Sequence, residues 1–462
     1  MGGLRNFVAN LPEVAAPAEK RLPFKEKMKW TIVSLVLFFV LGSISLFGLD
    51  PQSEFQFEQL QVILGASFGS IISLGIGPIV TASIILQLLN GSGIIHLDNK
   101  SKEGKQFYQG IQKLLAIFFI LFESAMFVFM GGLAPDPVAY TGAAYFQIQL
   151  LLIFQLMLGG FMIMFMDEVV QKWGIGSGIS LFIAAGVSQS LFVRLLSPVT
   201  PQDAEIAVGA IPALVQSFLL QRTQDAVLNL ARILATVGVF VIAVYAQAMK
   251  VEIPLSFGRV RGHGIRWPLN FIYTSNIPVI LVAALLANVQ LVARLFDNAG
   301  NPILGSFAGG APSSGFVTWV VAPQLMDRIL LGTVSGMDIL HSLSYMLIMM
   351  GGAVLFSWFW VQTSGMDAKS QAKQMMSSGL QIPGFRKDER VLERLLERYI
   401  RPLTVMGALT IGFLAAMADL SGALANGTGL LLTVMIIYRF YEDIAKQHMM
   451  DMNPMMRKFM GK

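Results

Sequence analysis

The sequence alternates long apolar runs with short polar segments along most of its length. Runs bounded by charges or by Gly and Pro fall at 28–47, 110–132, 146–166, 177–195, 228–249, 269–291, 340–361, 402–420 and 427–445. Each run is close to the roughly 20 apolar residues that a helix needs to cross the hydrocarbon core of a bilayer. The pattern therefore predicts nine membrane-spanning helices.

A tenth helix is predicted from an interrupted run. Residues 57–73 are moderately apolar, Gly75–Pro78 breaks the pattern, and Ile79–Leu89 resumes it over too short a length to span alone. A broken helix is tolerated at membrane depth where it faces protein or an aqueous cavity. A second apolar stretch, at 316–331, is interrupted by a proline and carries two charges, so it predicts a half-helix at the surface rather than an eleventh span.

The predicted helices divide into two sets of five. Five lie before residue 200 and five after residue 225, and the second helix of each set carries a proline, Pro78 and Pro278. Interruptions at matching positions of two halves point to a central pathway. The predicted fold class is therefore all-α, with ten transmembrane helices in two pseudo-symmetric halves. The halves cover 28–200 and 228–448, an external loop covers 201–227, and a tail covers 449–462.

Composition and charge agree with a membrane protein and set its orientation. The 462 residues are 55% hydrophobic and only 13% charged, whereas soluble domains carry about 25% charged residues. Basic residues concentrate in loops on the cytoplasmic side. Counted with the adjoining helix ends, the amino-terminal segment, every second loop and the tail hold 28 of the 33 Lys and Arg residues. We therefore expect both termini in the cytoplasm. The five exceptions are Arg194, Arg222, Arg232, Arg294 and Arg328.

The inventory of reactive side chains is poor. The chain has no Cys, its four His fall in loops or at helix ends, and no phosphate-binding loop of the Walker type is present. Glu123 is the one clear carboxylate in the middle of a predicted span. Two other charged residues, Asp419 and Arg232, lie near the outer ends of their predicted spans, where they can pair. We therefore expect no catalytic residue, no metal and no cofactor. A small-solute secondary transporter and a membrane-embedded enzyme remain as alternatives, and both lack the polar midplane groups that they would need.

Two aliphatic pairs follow glycine-rich segments. Ile76 and Val80 stand at i and i+4, and Ile179 and Ile183 do the same. Such pairs are usually ordinary helix packing. Facing one another across an axis, they could also form a constriction that excludes water and ions by dewetting. Spacing alone leaves both interpretations open.

Four stretches, in this order on ten spans, resemble the SecY family, in particular its archaeal members. They are 74–89 (LGIGPIVTASIILQLL), 174–188 (GIGSGISLFIAAGVS), 271–281 (FIYTSNIPVIL) and 427–434 (GTGLLLTV). The resemblance covers essentially the whole chain. It implies the central pore subunit of a protein-conducting channel, which moves unfolded polypeptide across the membrane and releases apolar segments sideways into lipid.

The resemblance also implies roles for individual residues. An aliphatic pore ring would consist of Ile76, Val80, Ile179, Ile183, Ile280 and Leu432. A re-entrant plug helix at 55–72 would include Phe57, Leu60, Ile63, Leu64, Ser67 and Ser70. A lateral gate, between the second and third helices of one half and the seventh and eighth of the other, would carry Thr81, Glu123 and Asn288. The cytoplasmic loops 250–267 and 363–401 would dock partners through Arg259, Arg261, Arg386 and Lys387.

The partners implied are those of the family. They are small SecE-like and SecG-like or Sec-beta-like membrane subunits, the ribosome, the receptor of the signal recognition particle, signal sequences and nascent chains, and the lipid bilayer. The expected location is the plasma membrane. The energy for transport must come from a partner, and the ribosome is the expected source.

Overall fold

The fold is mainly helical, as predicted. The computed structural model describes residues 10–18, 22–50, 69–91, 94–95, 97, 101–200, 206–257, 264–274, 276–298, 300–308, 311–377, 380–381, 389–425 and 427–452. The helices of the first half are α1 (Phe24–Gly42), α2 (Gly77–Gly91), α3 (Lys102–Phe129), α4 (Ala143–Trp173) and α5 (Gly178–Leu196). The longer helices of the second half are α7 (Thr223–Ala248), α8 (Ile277–Asn298), α11 (Gly336–Thr363), α13 (Glu389–Leu420) and α14 (Gly427–Met452).

Short helices and strands occupy the connections. The short helices are α6 (Ala210–Leu219), α9 (Val317–Val320), α10 (Leu325–Leu330) and α12 (Ala368–Ser377). The strands are β1 (Lys250–Phe257), β2 (Gly264–Asn270), β3 (Phe307–Ala308), β4 (Ala311–Pro312) and β5 (Leu380–Gln381).

Each predicted span overlaps a helix, although the span predicted at 269–291 begins in β2 and its helix begins only at Ile277. Among the described residues, seven helices are long and apolar enough to cross a membrane, namely α3, α4, α5, α7, α8, α11 and α13. At the other three predicted positions, α1 and α14 carry several charged residues toward one end, and α2 has only 15 residues. The break before α2 is confirmed, because residues 71–76 form turns and the helix begins at Gly77. The count of ten spans stays a prediction.

The helices enclose one apolar core that draws on both halves. It includes Ile120 of α3, Leu156 of α4, Val279 of α8 and Ile411 of α13, each fully or almost fully buried. The outside of the bundle is also apolar. On α7, for example, Leu234 is 62% exposed, as expected of a side chain that faces lipid rather than protein. The chain is a multi-pass membrane protein.

Two connections differ from their prediction. The predicted external loop 201–227 contains the helix α6. The predicted half-helix at 316–331 is two pieces, α9 and α10, because the backbone is extended at Val321, just before Pro323, which cannot continue a helix. The predicted plug at 55–72 lies mostly outside the described residues. Its end at Gly69–Ile71 pairs with the chain after α1, through Leu46 N–H to the Gly69 carbonyl at 2.7 Å.

The two basic loops join in one small sheet, which the all-α prediction missed. Strands β1 and β2 form an antiparallel hairpin with Lys250 opposite Asn270, and β5 from the second loop pairs with the end of β1. The sequence carried a signal, since apolar residues alternate with polar ones over 250–257, the period of a strand.

A second, smaller core lies beside this sheet. Leu269 of β2 and Met375 of α12 pack with the start of α13, where Leu392, Leu396 and Ile400 recur at helical spacing. Tyr273 closes this core, and its hydroxyl donates to the carbonyl of Met366 at 2.7 Å. Burial, together with the nearby Asp367 carboxylate, raises the pKa of the Tyr273 hydroxyl, so it remains a donor at neutral pH.

In the first half, residues 13–15 lie against the end of α4. We call these three residues the amino-terminal strap. The N–H of Val14 donates to Oε2 of Glu168 at 2.9 Å, and Nε1 of Trp173 donates to the carbonyl of Ala15 at 2.8 Å. Lys172 forms an ion pair with Glu13. The hydrogen bond from Lys172 lowers the pKa of the Glu13 carboxyl.

Candidate channel constriction and lateral gate

Five of the six predicted ring residues line one small cavity at the centre of the bundle. Its volume is about 10 Å³, room for roughly one water molecule. The five come from four helices or the turn before one of them, and each is at most 9% exposed. They are Ile76 before α2, Val80 of α2, Ile183 of α5, Ile280 of α8 and Leu432 of α14.

The lining is almost wholly aliphatic. Apart from the five ring residues, the described lining residues are Gly77, Ala283, Ala284, Thr428 and Gly429. Thr428 brings the one side-chain hydroxyl. A narrow cavity with so few polar partners does not hold an ordered water chain, so it can block ions without binding anything. The small residues at the other positions allow the helices to approach closely.

Ile179 is the predicted ring residue that the structure places elsewhere. It lies one turn before Ile183 on α5, is half-buried, and is not among the described residues that line the cavity. Its side chain packs against the edge of the main core. The i, i+4 relation to Ile183 put both residues on one face, but only the second reaches the centre.

The three predicted gate residues meet where the two halves touch. Nδ2 of Asn288, on α8, donates to Oγ1 of Thr81, on α2, at 2.8 Å. The Thr81 hydroxyl itself donates to the carbonyl of Gly77 one turn earlier, also at 2.8 Å. Glu123 of α3 is 8% exposed and its carboxyl interacts with Thr81. Thr81 thus joins side chains from three helices across the seam between the halves.

A larger cavity opens from the constriction toward the predicted outer side. Its volume is about 720 Å³, and it shares Ala283 and Thr428 with the constriction. Its wall is mixed, with Gln290 and Asn229 among apolar residues. At its rim Nη2 of Arg232 contacts Oδ2 of Asp327 at 2.8 Å, so two groups predicted near the outer surface form an ion pair.

Over the described ranges, no group of three or more His, Cys, Asp or Glu side chains is placed to hold a metal ion. The buried carboxylates have other partners: Glu123 lies at the seam, Asp167 binds a backbone N–H group, and Asp338 caps α11. The half-buried Asp419 also binds a backbone N–H group. The arrangement that stands out is a narrow apolar constriction between two helical halves with a polar seam.

Such an arrangement is that of a helical membrane channel with an apolar constriction. Comparison with known protein families gives the class its name. Residues 70–441 match the family model SecY, and residues 36–69 match the model described as the plug domain of Sec61p. The chain belongs to the SecY family.

Individual relatives agree over nearly the full length. Protein translocase subunit SecY of Methanothermobacter thermautotrophicus is 45% identical, with 98% of this chain and 97% of the relative covered. The corresponding subunit of Pyrococcus furiosus is 43% identical, with 97% of each chain covered. The chain is therefore a protein translocase subunit, and the alternative of a small-solute transporter is wrong.

Solved structures show the same fold. A structure described as that of a protein-conducting channel has a TM-score of 0.82 and 41% identity, over 96% of this chain and 97% of the other. Sec61 in the canine ribosome-channel complex from the endoplasmic reticulum has a TM-score of 0.79 and 40% identity, with the same shares covered. The fold predicted from the sequence is thereby confirmed, and the chain is the pore-forming subunit of a Sec channel.

Proposed function

We propose that the constriction is the seal of the resting channel and that the seam at Thr81 is its lateral gate. An unfolded chain would pass between the two halves through the ring. A sufficiently apolar segment would leave between α2 and α3 on one side and α8 and α11 on the other. The chain supplies the pathway, and a partner supplies the energy.

The observation that carries this proposal is the convergence of five aliphatic side chains on a cavity of about 10 Å³. They come from helices of both halves, so a small separation of the halves widens the ring. Aliphatic walls also suit a path for many different sequences, because they form no specific hydrogen bond with the passing chain.

Conductance of the resting channel in planar bilayers tests the seal. The change Ile76→Asn puts an amide into the ring, which should wet the constriction and raise the resting ion current at least about tenfold. Ile84→Asn is the matched control, since Ile84 is 3% exposed on α2 but is not among the cavity-lining residues. Equal currents from both variants, at equal incorporation of folded channel, would reject the ring as the seal.

We propose further that the basic loops dock a ribosome or a similar anionic partner through Arg259, Arg261, Arg386 and Lys387. These four residues lie outside the described part of the chain. The support is that loops 250–267 and 363–401 meet in one sheet, and that one similar structure is of Sec61 in a ribosome-channel complex. The location would be the plasma membrane with cytoplasmic termini, beside SecE-like and SecG-like or Sec-beta-like subunits. The receptor of the signal recognition particle would deliver signal sequences and nascent chains.

Co-sedimentation with ribosomes across a salt series tests the docking proposal. Replacing Arg259, Arg261 and Arg386 with Glu should weaken binding and flatten its salt dependence, because contacts to phosphate release counterions. The same charge reversal at Lys369, Lys373 and Arg401 is the control for a general loss of positive charge in this region. Binding that is unchanged at every salt concentration would contradict the proposal.

A further inference from the structure

The ring is built from two pairs of helices that start in the same way. In α5 and α14 the first residue is glycine and the ring residue, Ile183 or Leu432, is the sixth. In α2 and α8 the second residue is proline and the ring residue, Val80 or Ile280, is the fourth. The two halves thus agree residue by residue at the point where each ring helix begins. The position of each ring side chain is fixed by where its helix starts.

In the first half, a buried carboxylate holds the start of α5. Asp167 is 6% exposed near the end of α4. Its Oδ1 accepts the N–H of Ile179 at 3.0 Å, and the N–H of Gly178 also points to this carboxylate. The contact is close because Gly178 has no side chain: an added Cβ would lie 2.6 Å from the Asp167 Cα. The unpaired N–H groups at a helix start are satisfied best by such an acceptor.

In the second half, Asp419 does the same for α14. It lies near the end of α13, and its Oδ1 accepts the N–H of Thr428 at 2.7 Å. Gly427 N–H points to the same carboxylate, and an added Cβ at Gly427 would lie 1.9 Å from the carbonyl carbon of Ala418. Ile179 and Thr428 are both second residues of their helices. The carboxylate, the glycine, the accepted N–H and the ring residue therefore correspond in the two halves.

The two carboxylates bracket the constriction. A rise of 1.5 Å per residue puts the sixth residue of a helix about 7.5 Å along the axis from the first. Because α5 and α14 start on opposite predicted sides of the membrane, Asp167 approaches the ring from the cytoplasmic side and Asp419 from the outer side. Asp419 accordingly borders the outer cavity.

We infer that Asp167 and Asp419 are positioning residues of the channel seal, each fixing the axial place of one ring side chain through the first turn of its helix. This inference rests on the proposed role of the ring. The competing explanation is that each carboxylate only stabilises a helix end, as Asp338 does at the start of α11. There Asp338 and Ser335 form reciprocal side-chain to backbone bonds. Asp338 is not among the described residues that line either cavity.

The test compares Asp167→Ala, Asp419→Ala and Asp338→Ala for two quantities, the resting ion current in planar bilayers and the midpoint of thermal unfolding. A lost helix cap changes the population of the correct helix start by about fivefold. We therefore expect a resting current about fivefold above the unmodified channel for Asp167→Ala and Asp419→Ala. Asp338→Ala should lower the unfolding midpoint without a leak. The Asn variants keep the acceptor Oδ1 and should restore most of the seal.

The same measurements distinguish failure of the positioning role of Asp167 and Asp419 from failure of the ring as the channel seal. If Ile76→Asn leaks and neither alanine variant does, the ring stands and the positioning role is rejected. If none of the three leaks, the ring itself is rejected. A leak from Asp338→Ala equal to the others would show that any lost cap opens the channel, which also overturns the inference. If an alanine variant does not accumulate as folded channel, the Ser variant takes its place with the same expectations.

Discussion

Asp167 and Asp419 each bind the start of a helix, α5 or α14, through Oδ1. The two carboxylates differ in the partners of Oδ2. In the first half, Oδ2 of Asp167 accepts from Nε2 of Gln171, one turn further along the same helix, at 2.7 Å. In the second half, Oδ2 of Asp419 accepts from the hydroxyl of Tyr345, on α11, at 2.6 Å. The first carboxylate is therefore self-contained, whereas the second ties the ring helix to a helix of the proposed gate.

This difference indicates a division of labour. In the first half the contacts of the carboxylate stay within α4 and the start of α5. In the second half α11, α13 and α14 meet at Asp419. Given the proposed role of α11 in the gate, we expect its motion to reach Leu432 of α14 more than Ile183 of α5.

The largest expected effect concerns the ring residues themselves. Ile183→Asn and Leu432→Asn occupy corresponding positions and should raise the resting current by a similar factor, at least about tenfold, because either amide wets the same cavity. Ile179→Asn should raise it far less, since Ile179 lies outside the lining. Planar-bilayer conductance at equal incorporation measures all three. A leak from Ile179→Asn as large as that from Ile183→Asn would show that the resting ring includes both residues.

The second effect concerns the bond between the halves. Thr81→Val and Asn288→Leu each remove the hydrogen bond from Asn288 to Thr81. Such a bond within a membrane is worth about 0.6 to 2 kcal/mol, which shifts a gate equilibrium about three- to thirty-fold. Glu123→Leu should act in the same direction. We expect these variants to insert nascent helices that are less apolar than those the unmodified channel inserts. The measurement is the inserted fraction across a graded series of Leu/Ala test segments.

Thr410→Val is the matched control for Thr81→Val. The Thr410 hydroxyl also donates to a carbonyl four residues earlier, at 2.8 Å, and Thr410 is half-buried like Thr81, but it lies on α13 rather than at the seam. Its insertion curve should overlay the curve of the unmodified channel. Curves for Thr81→Val and Asn288→Leu that also overlay it would remove both residues from the gate.

The sequence predicted the parts of the molecule that depend on length and apolarity. Runs of about 20 apolar residues located each long helix, and the Gly-Pro interruption located the start of α2. The carboxylates Asp167 and Asp419 were missed, since each binds a helix that begins 8 to 11 residues later, and that contact depends on close packing at Gly178 and Gly427. The sequence predicts only that Asp419 lies near the outer end of its helix, where it can pair. Spacing along one sequence does not reveal such contacts.

A third, smaller effect separates the two carboxylates. Tyr345→Phe removes the hydroxyl that donates to Oδ2 of Asp419 from α11 and leaves the Thr428 hydroxyl, which donates to the same oxygen from α14. Gln171→Leu removes the donor to Oδ2 of Asp167. We expect Tyr345→Phe to move the insertion threshold of test segments in the same direction as Asn288→Leu but by less, because it loosens the link between α11 and α14. Gln171→Leu should leave the threshold unchanged, since its donor lies within α4. Equal shifts in both variants would contradict the proposed difference between the halves.

The smallest effect concerns the amino-terminal strap. The strap lies against the first half, whereas the sheet and α12 lie against the second half. The pKa of Glu13 is lowered from 4.5 by its bond to Lys172, so the charged form favours the docked strap. This stabilisation is present above the unperturbed pKa and is lost as the pH falls through the lowered value. The Glu13 side chain is 66% exposed, so the pair is worth about 0.5 kcal/mol, or about a twofold change in the docked population.

Because the chain has no Cys, a single Val14→Cys substitution carries a spin label without interference. The mobile fraction of the label should rise about twofold as the pH falls from about 6 to 3, since protonation of Glu13 removes its half of the ion pair. In Glu13→Gln the mobile fraction of the label should already be raised at pH 6, and it should not show the part of the rise that comes from protonation of Glu13. Glu168 and Lys113 also lie at the strap, and any change that persists in Glu13→Gln belongs to them. A pH response identical with and without Glu13 would show that Lys172 holds the strap through the Val14 carbonyl alone.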